Sequence, residues 1–219
     1  MKSPYPAPLQ STLSDAPRPP TAVGTFGLFP HNLRPWSPAG AIHKGVCTVA
    51  VALSPIGVIR SPHTTPQGMP IQPSGARGVR GSIELDPQYV EGLADIEGFS
   101  HIIVLYHFHA SGEAKLTVTP YLDKTAHGVF ATRAPSRPNP LGLSVVRLIG
   151  VEGPVLELED VDILDGTPVL DIKPYVPAFD APHGEIRAGW LEDKDDDAGA
   201  ARADERFHAD ALPKANGSG

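Results

Sequence analysis

The amino-acid sequence predicts a mainly-β domain, a small closed or nearly closed β-barrel with one short helix. Many short runs of β-branched or alternating apolar residues are bounded by glycine and proline. The 219 residues include 25 prolines and 22 glycines, which disfavours long helical bundles. No GxGxxG motif follows a strand-like run, so a Rossmann sheet is also disfavoured.

The predicted strands are short and lie, in chain order, at residues 49–51, 56–59, 101–109, 116–118, 143–149, 155–158 and 169–172. Pro55 separates the first two. One helix is predicted after Asp86, an N-cap residue that is followed by Pro87 at the first helical position.

Composition divides the chain into a proline-rich N-terminal extension (1–48), a folded domain (49–182) and an acidic, low-complexity C-terminal tail (183–219). We expect the tail to be solvated, with a short helix over 200–211 as the alternative. The net charge of −7 argues against coating nucleic acid by bulk charge but allows a local basic patch.

Cysteine usage and hydropathy bound the environment of the protein. Cys47 is the single cysteine, which excludes an intrachain disulfide framework and fits a reducing cytoplasm. No apolar run reaches the roughly 18 residues that a transmembrane helix needs, so no membrane segment is expected.

Two histidines mark the predicted strand 101–109. His107 and His109 are two residues apart, so a strand would place both imidazoles on one face, a spacing that suits a metal site in a barrel. No third ligand is evident in the sequence. The alternative is that they bond to neighbouring backbone or stack on a ligand.

A stiff, proline-rich segment follows at 131–144. Three prolines within six residues fix the backbone, and the segment carries Arg133, Arg137 and Asn139. Guanidinium groups bind carboxylates and phosphates through paired hydrogen bonds. A binding loop is favoured over a purely structural turn.

Acidic residues cluster at the turn between the last two predicted strands. Asp165-Gly166-Thr167-Pro168 is a turn signal, preceded by Asp160 and Asp162. Asp171 and Lys173 share a face of the following strand, which is typical of an ion pair. The cluster is also suited to a ribose, an amine or a metal, and spacing alone does not choose.

Several motifs, in uninterrupted order over about residues 54–180, resemble the TrmO/TsaA-like family. They are Ile56-Gly57-Val58-Ile59-Arg60-Ser61-Pro62, Phe99-Ser100-His101, Gly128-Val129-Phe130-Ala131-Thr132-Arg133, Arg137-Pro138-Asn139-Pro140-Leu141-Gly142 and the segment from Asp165 to Tyr175. The resemblance implies a methyltransferase that uses S-adenosyl-L-methionine on a compact β-barrel, as a homodimer. The implied substrate is tRNA, methylated at N6 of N6-threonylcarbamoyladenosine.

The resemblance also implies site residues. The cofactor contacts carried over are Pro70, Ile71, Gln72, His109, Ala110, Arg133, Val145, Asp162, Ile163, Leu164 and Asp165. The substrate contacts are Arg137, Asn139, Lys173 and Tyr175, and the candidate proton acceptors are Asp171 and His109. No metal is implied.

The chemistry of the cofactor agrees with these types of residue. Arg133 suits its carboxylate, and Asp162 or Asp165 suits its ammonium group or ribose. Two other functions remain open at this stage. One is non-catalytic binding of S-adenosylmethionine or RNA, and the other is a cupin-like metalloenzyme using His107 and His109.

Overall fold

In the computed structural model, which describes residues 51–192 and 194–208, six antiparallel strands form a closed barrel. The described residues contain eight strands in all: β1 (Gly57–Arg60), β2 (Arg80–Leu85), β3 (His101–His107), β4 (Thr117–Val118), β5 (His127–Gly128), β6 (Leu141–Glu152), β7 (Val155–Glu159) and β8 (Pro168–Pro174). The order around the barrel is β1-β2-β7-β6-β3-β8, while β4 and β5 form a separate two-stranded ribbon. The predicted mainly-β barrel is confirmed.

Helical structure in the described residues is brief. Two α-helical segments, α1 (Pro177–Asp180) and α2 (Asp195–Ala200), accompany 3₁₀ turns at Pro73–Gly75, Pro87–Leu93, Ile96–Gly98, Val129–Ala131, Gly189–Leu191 and Glu205–Phe207. The predicted helix after Asp86 is one of these 3₁₀ turns. Its start is as expected, since the Asp86 carboxylate accepts a hydrogen bond from the Gln88 N–H.

Alternation along the strands fills the barrel with aliphatic side chains. In β3, Ile102, Val104 and Tyr106 are buried while their neighbours are only partly covered. The same period in β6 turns Ser144 and Val146 inward. The barrel closes where β8 pairs with β1, through Gly57 opposite Val169 and Val58 opposite Pro168.

The antiparallel pairing gathers particular loops at one rim. The ends of β1, β3 and β7 and the starts of β2, β6 and β8 lie together there, as the pairs His107–Leu141 and Tyr106–Val169 indicate. The segment after β1, the turn after β3, the proline-rich segment before β6 and the β7–β8 turn therefore converge at this rim. These are the segments in which the sequence predicted most of the site.

Several predicted boundaries differ from the structure. No strand occurs at Val51, which is exposed, and residues 49 and 50 lie outside the described part, as does the predicted N-terminal extension 1–48. The strand predicted at 116–118 is reduced to β4, and β6 is longer than predicted at both ends. The helix considered over 200–211 is absent from residues 201–208, because α2 ends at Ala200 and only the short turn Glu205–Phe207 follows, while residues 209–211 lie outside the described part.

The expectation of a solvated C-terminal tail is wrong for residues 194–208. Ala198 and Phe207 are buried, and Phe207 packs with Val118, Val129 and Ala134 in a second apolar cluster outside the barrel. An aromatic ring of this size removes enough apolar surface from water to order a short segment. None of the helices in the described residues is long and apolar enough to cross a membrane.

Candidate functional site

A cavity of about 520 Å³ opens at the barrel rim where the loops converge. Its volume falls within the range of small-molecule sites, roughly 300–1,000 Å³. Its lining includes many residues that the sequence predicted: Pro70, Ile71, Gln72, His109, Ala110, Arg133, Arg137, Asp162, Ile163 and Leu164. Four separate segments of the chain thus supply one pocket.

A chain of hydrogen bonds leads from the barrel core to the cavity. The Ser144 hydroxyl donates to Asp162 Oδ1 at 2.7 Å, so the Tyr106 hydroxyl, 3.1 Å from Ser144 Oγ, donates to the serine oxygen. Burial raises the pKa of Tyr106, which stays protonated as this donor requires. Gly142 makes room for the tyrosine ring, because a Cβ there would clash with it.

The Asp162 carboxyl is a partly buried acid in the cavity wall. Burial raises its pKa to about 6, and the Ser144 hydrogen bond and the charge of Arg133 oppose that rise. A cationic group of a ligand placed next to this carboxylate would stabilise its ionised form, because it would replace the solvation that the carboxylate lacks. Arg133 also lines the cavity and makes no hydrogen bond or ion pair with the other described residues. One cavity therefore presents an anion and a cation to a ligand.

His109 lies in the tight turn after β3, and its backbone N–H donates a hydrogen bond to the His107 carbonyl at 2.7 Å. Its Nδ1 is 3.3 Å from the Thr167 hydroxyl. Burial, with a smaller effect from His107, lowers the pKa of His109, so the ring is neutral at pH 7 and can accept a proton.

The shared strand face on which the alternative of a metal site depended is not observed at these histidines. β3 ends at His107, so the two imidazoles do not share a strand face. In the part of the chain that the structure describes, no group of three or more His, Cys, Asp or Glu side chains is arranged to hold a metal ion.

Asp165 has a structural place at the edge of the site. Its carboxylate accepts a hydrogen bond from the Ser61 N–H at 3.0 Å, and the Asp165 N–H donates to the His63 carbonyl. Gly166 adopts a φ of +74°, which the turn requires and which glycine allows. Asp165 therefore ties the β7–β8 turn to the segment after β1 and does not line the cavity.

Other predicted residues lie away from the cavity. Val145 points outward between the inward-facing Ser144 and Val146, so the prediction that it contacts the cofactor is not supported. Asp171 forms an ion pair with Lys173, Nζ to Oδ2 2.6 Å, on the outer face of β8. The sequence predicted that pair correctly, and it removes Asp171 from the candidate proton acceptors in the cavity.

Two predicted substrate contacts lie toward the opposite rim. The Tyr175 N–H donates to the carbonyl of His101, the first residue of β3, whereas the cavity lies beyond the last. Six residues of strand separate Tyr175 from Val169, about 20 Å at the usual rise. Lys173 and Tyr175 therefore do not join Arg137 at the cavity mouth. Asn139 is exposed in the proline-rich segment, outside the cavity lining.

The sequence did not predict the wall that residues 202–208 supply, which we call the strap. The strap pairs with the loop after β1, where the Ala203 N–H donates to the Met69 carbonyl and the Gly68 N–H to the Ala203 carbonyl. Its other end joins the turn after β3, where the Gly112 N–H donates to the Phe207 carbonyl at 3.0 Å. Ala203, Asp204, Phe207 and His208 line the cavity.

Arg206 holds the strap in place from outside. Its guanidinium bonds to the Asp204 carboxylate, donates to the Pro120 carbonyl at 3.0 Å and stacks over the Tyr121 ring. This pairing lowers the pKa of Asp204, which keeps it ionised. The strap is held by isolated bridges and one aromatic side chain, which leave no periodic pattern in the sequence. The only sequence feature that could have predicted it is the apolar Phe207 within a polar segment.

The barrel lies outside the Rossmann class, and its end-on cavity has the size and the charged lining that suit a small, charged organic ligand. Residues 58–181 match the model of the tRNA-methyltransferase O N-terminal domain. Since that match covers more than half of the chain, the chain belongs to this family.

Named relatives and solved structures agree with this. A Pyrococcus abyssi protein named "Probable S-adenosyl-L-methionine-binding protein" is 52% identical over 162 residues, 74% of this chain and 88% of the relative. A human tRNA (adenine(37)-N6)-methyltransferase is 35% identical over 166 residues, 71% of this chain but 37% of the relative. The crystal structure of TrmO from Pseudomonas aeruginosa superposes with a TM-score of 0.54 at 44% identity, covering 65% of this chain and 63% of that one.

Proposed function

We propose that this protein is an S-adenosyl-L-methionine-dependent tRNA methyltransferase that methylates N6 of N6-threonylcarbamoyladenosine. Membership of the tRNA-methyltransferase O family supports the class of reaction, and the human relative is named for methylation at N6 of adenine 37. The observation that carries the proposal is the cavity itself, which the partly buried Asp162 and the cationic Arg133 both line.

The residues present fit S-adenosylmethionine. Asp162 would hold its ammonium group or ribose, and Arg133 its carboxylate. The apolar side chains of Ile163 and Leu164 suit the adenine ring. When bound, the cofactor supplies a methyl group made electrophilic by the neighbouring sulfonium.

His109 is the residue best placed to receive a proton in this proposal. The acceptor nitrogen is a weak nucleophile that loses a proton as it is methylated, and the neutral His109 lines the cavity. Thr167 orients the imidazole through Nδ1. Asp171, the other predicted acceptor, faces outward and is paired with Lys173.

A homodimer in the cytoplasm is also part of the proposal. The outward face of β6 exposes Leu141 and Leu143 at the edge of the cavity and Ile149 beyond Arg147, and a second copy could cover these apolar side chains. Light scattering of the purified protein measures its mass in solution, and a monomeric mass would contradict the proposed homodimer.

The decisive experiment uses S-adenosylmethionine with a deuterated methyl group and two tRNA preparations, one with and one without N6-threonylcarbamoyladenosine. Nucleoside mass spectrometry should find the label on N6-threonylcarbamoyladenosine in the first tRNA alone. Label in both preparations would show a different acceptor. Cofactor binding with no label in either tRNA would indicate a non-catalytic binding protein.

The same assay run with a chelator tests the metalloenzyme alternative. We expect methyl transfer to continue at its full rate, because the candidate residues need no metal. Activity that is lost to the chelator and restored by zinc would favour the metal mechanism.

A further inference from the structure

An exposed aromatic ring stands beside the cavity without forming part of its lining. Phe130 is 78% exposed in the turn Val129–Ala131, directly before the lining residues Thr132 and Arg133. Leu116, 72% exposed, lies beside the same turn, because its carbonyl accepts a hydrogen bond from the Val129 N–H at 2.9 Å. Exposed apolar side chains that lie next to each other beside a cavity are typical of an interaction site.

The turn that carries Phe130 is held rigidly. The Val129 carbonyl accepts from both the N–H and the hydroxyl of Thr132, and from Arg137 Nη2 at 3.5 Å. The Ala131 carbonyl accepts from the Trp190 indole N–H at 2.8 Å. The backbone on both sides of Phe130 is therefore fixed, so a partner that covers the ring has little backbone order to impose.

Cationic side chains border this ring. Arg133 and Arg137 line the cavity next to the turn, and the exposed Lys115 is tied to the same segment by its N–H bond to the Ser136 carbonyl at 3.1 Å. These three residues supply positive charge next to the turn in a chain of net charge −7, and the exposed Glu113 is the acidic neighbour of Lys115. An aromatic face flanked by basic groups is the combination that unpaired nucleotides bind, through base stacking and phosphate contacts.

We propose that Phe130 is a stacking platform for an unpaired RNA base next to the base that enters the cavity. The proposal rests on the proposed function and specifies how the RNA is held. Arg137 and Lys115 contact phosphates on either side of the stacked base. Phe130 acts on RNA affinity alone and leaves the cofactor site unchanged.

The test measures binding of a labelled RNA hairpin with an unpaired loop and of a fully paired duplex with the same stem. Phe130→Ala should weaken hairpin binding about 5- to 150-fold, the range for one lost base–aromatic stack, and leave duplex binding unchanged. Phe130→Trp should retain hairpin affinity. The matched control is Phe179→Ala, which removes a ring that is 83% exposed on α1, outside the cavity lining, and should change neither affinity.

Each outcome separates this proposal from the one on which it rests. Equal hairpin affinity for the wild type and Phe130→Ala overturns the stacking platform and leaves methyl transfer standing. A wild-type protein that binds no hairpin overturns both. A lower oligomeric mass for Phe130→Ala with unchanged RNA affinity identifies the ring as a contact between copies of the chain and also overturns the proposal. A raised KM for tRNA with unchanged kcat and cofactor affinity supports it.

Discussion

Asp162 combines burial with a charge requirement, which makes it the residue where pH acts on binding. Its ordinary pKa of 3.8 is raised to about 6, so the folded protein holds a proton there between those values. The free energy of unfolding contributed by this group therefore falls as pH rises from about 4 to about 6. Binding of a cation has the opposite dependence, because it requires the ionised form.

We therefore expect affinity for S-adenosylmethionine to rise with pH and to level off above about pH 7. Below the pKa the ionised fraction falls about tenfold per pH unit, which sets the steepest dependence. Calorimetry from about pH 5 to about pH 8 measures it, and Asp162→Asn should bind weakly with a much flatter profile. A steep profile retained in Asp162→Asn would assign the dependence to His109 instead.

Arg133 and Arg137 both line the cavity, but their partners differ. Arg133→Ala should lower affinity for S-adenosylmethionine by about 1.5–3 kcal/mol, because the ligand carboxylate loses a charged partner. Arg137, bound to the Val129 carbonyl beside the exposed turn, should affect RNA instead, so Arg137→Ala raises the KM for tRNA with nearly intact cofactor affinity. Calorimetry and tRNA kinetics on both variants check this, and exchanged effects would reverse the assignment.

Gly142 leaves the space that the Tyr106 ring needs in order to join the hydrogen-bonded series Tyr106–Ser144–Asp162. An added Cβ would meet the Tyr106 ring, so Gly142→Ala should lower the free energy of unfolding by about 1–3 kcal/mol and weaken cofactor binding. Gly150→Ala is the matched control in the same strand, where a Cβ meets nothing within 4 Å. Thermal unfolding compares them, and equal effects of the two substitutions would contradict the steric argument.

At the scale of elements, alternation explains which sequence predictions held. β3 and β6 alternate between apolar and mixed positions, and the structure follows that period. The same period places Val145 and Asp171 outside the barrel, which a motif carried over residue by residue does not reveal. A register shift opposite Leu105 and Tyr106 further alters β8, and no local sequence signal marks it.

The strap shows what local sequence cannot supply. Its order depends on partners more than eighty residues away. Tyr121 Oη donates to the Asp204 carbonyl, and Arg206 donates to the Pro120 carbonyl. An Asp- and Ala-rich composition predicts solvent exposure because it carries few apolar anchors. Here one buried phenylalanine and several long-range hydrogen bonds suffice.

We expect Phe207→Ala to lower the free energy of unfolding by about 3–5 kcal/mol, the usual cost of removing a buried ring. A chain ending at residue 192 should lose cofactor affinity by at least about tenfold, since the strap lines the cavity and links two of its loops. Calorimetry and thermal unfolding measure both effects. The exposed Phe179, replaced by alanine, is the control and should change stability by less than about 0.5 kcal/mol. Full cofactor affinity in the shortened chain would show that the strap does not contribute to cofactor binding.

At the scale of the whole molecule, the barrel was predictable because it follows from composition and period two, both of which are local. The site was predictable in part, because the proline-rich segment and the β7–β8 turn have unusual residues that stand out in the sequence. Asp165 illustrates the remainder. Its carboxylate stands in a suggestive motif, but it accepts a hydrogen bond from the N–H of Ser61, 104 residues away, which only the closed barrel brings close.

Because the net charge is −7, we expect the proposed RNA binding to depend on a few local cations. With Lys115 and Arg137 as the phosphate contacts, the logarithm of the hairpin association constant should fall with the logarithm of salt concentration with a slope of about −1.4, near −0.7 per contact on a single strand. Arg137→Ala should reduce the steepness by about 0.7. Arg147→Ala, which removes a cation already paired with Glu159 on the barrel wall, should leave the slope unchanged. Titrations at several salt concentrations measure the three slopes. A wild-type slope much steeper than predicted would mean that RNA contacts a wider surface than this rim, and the same change for both variants would mean that the rim has no special role.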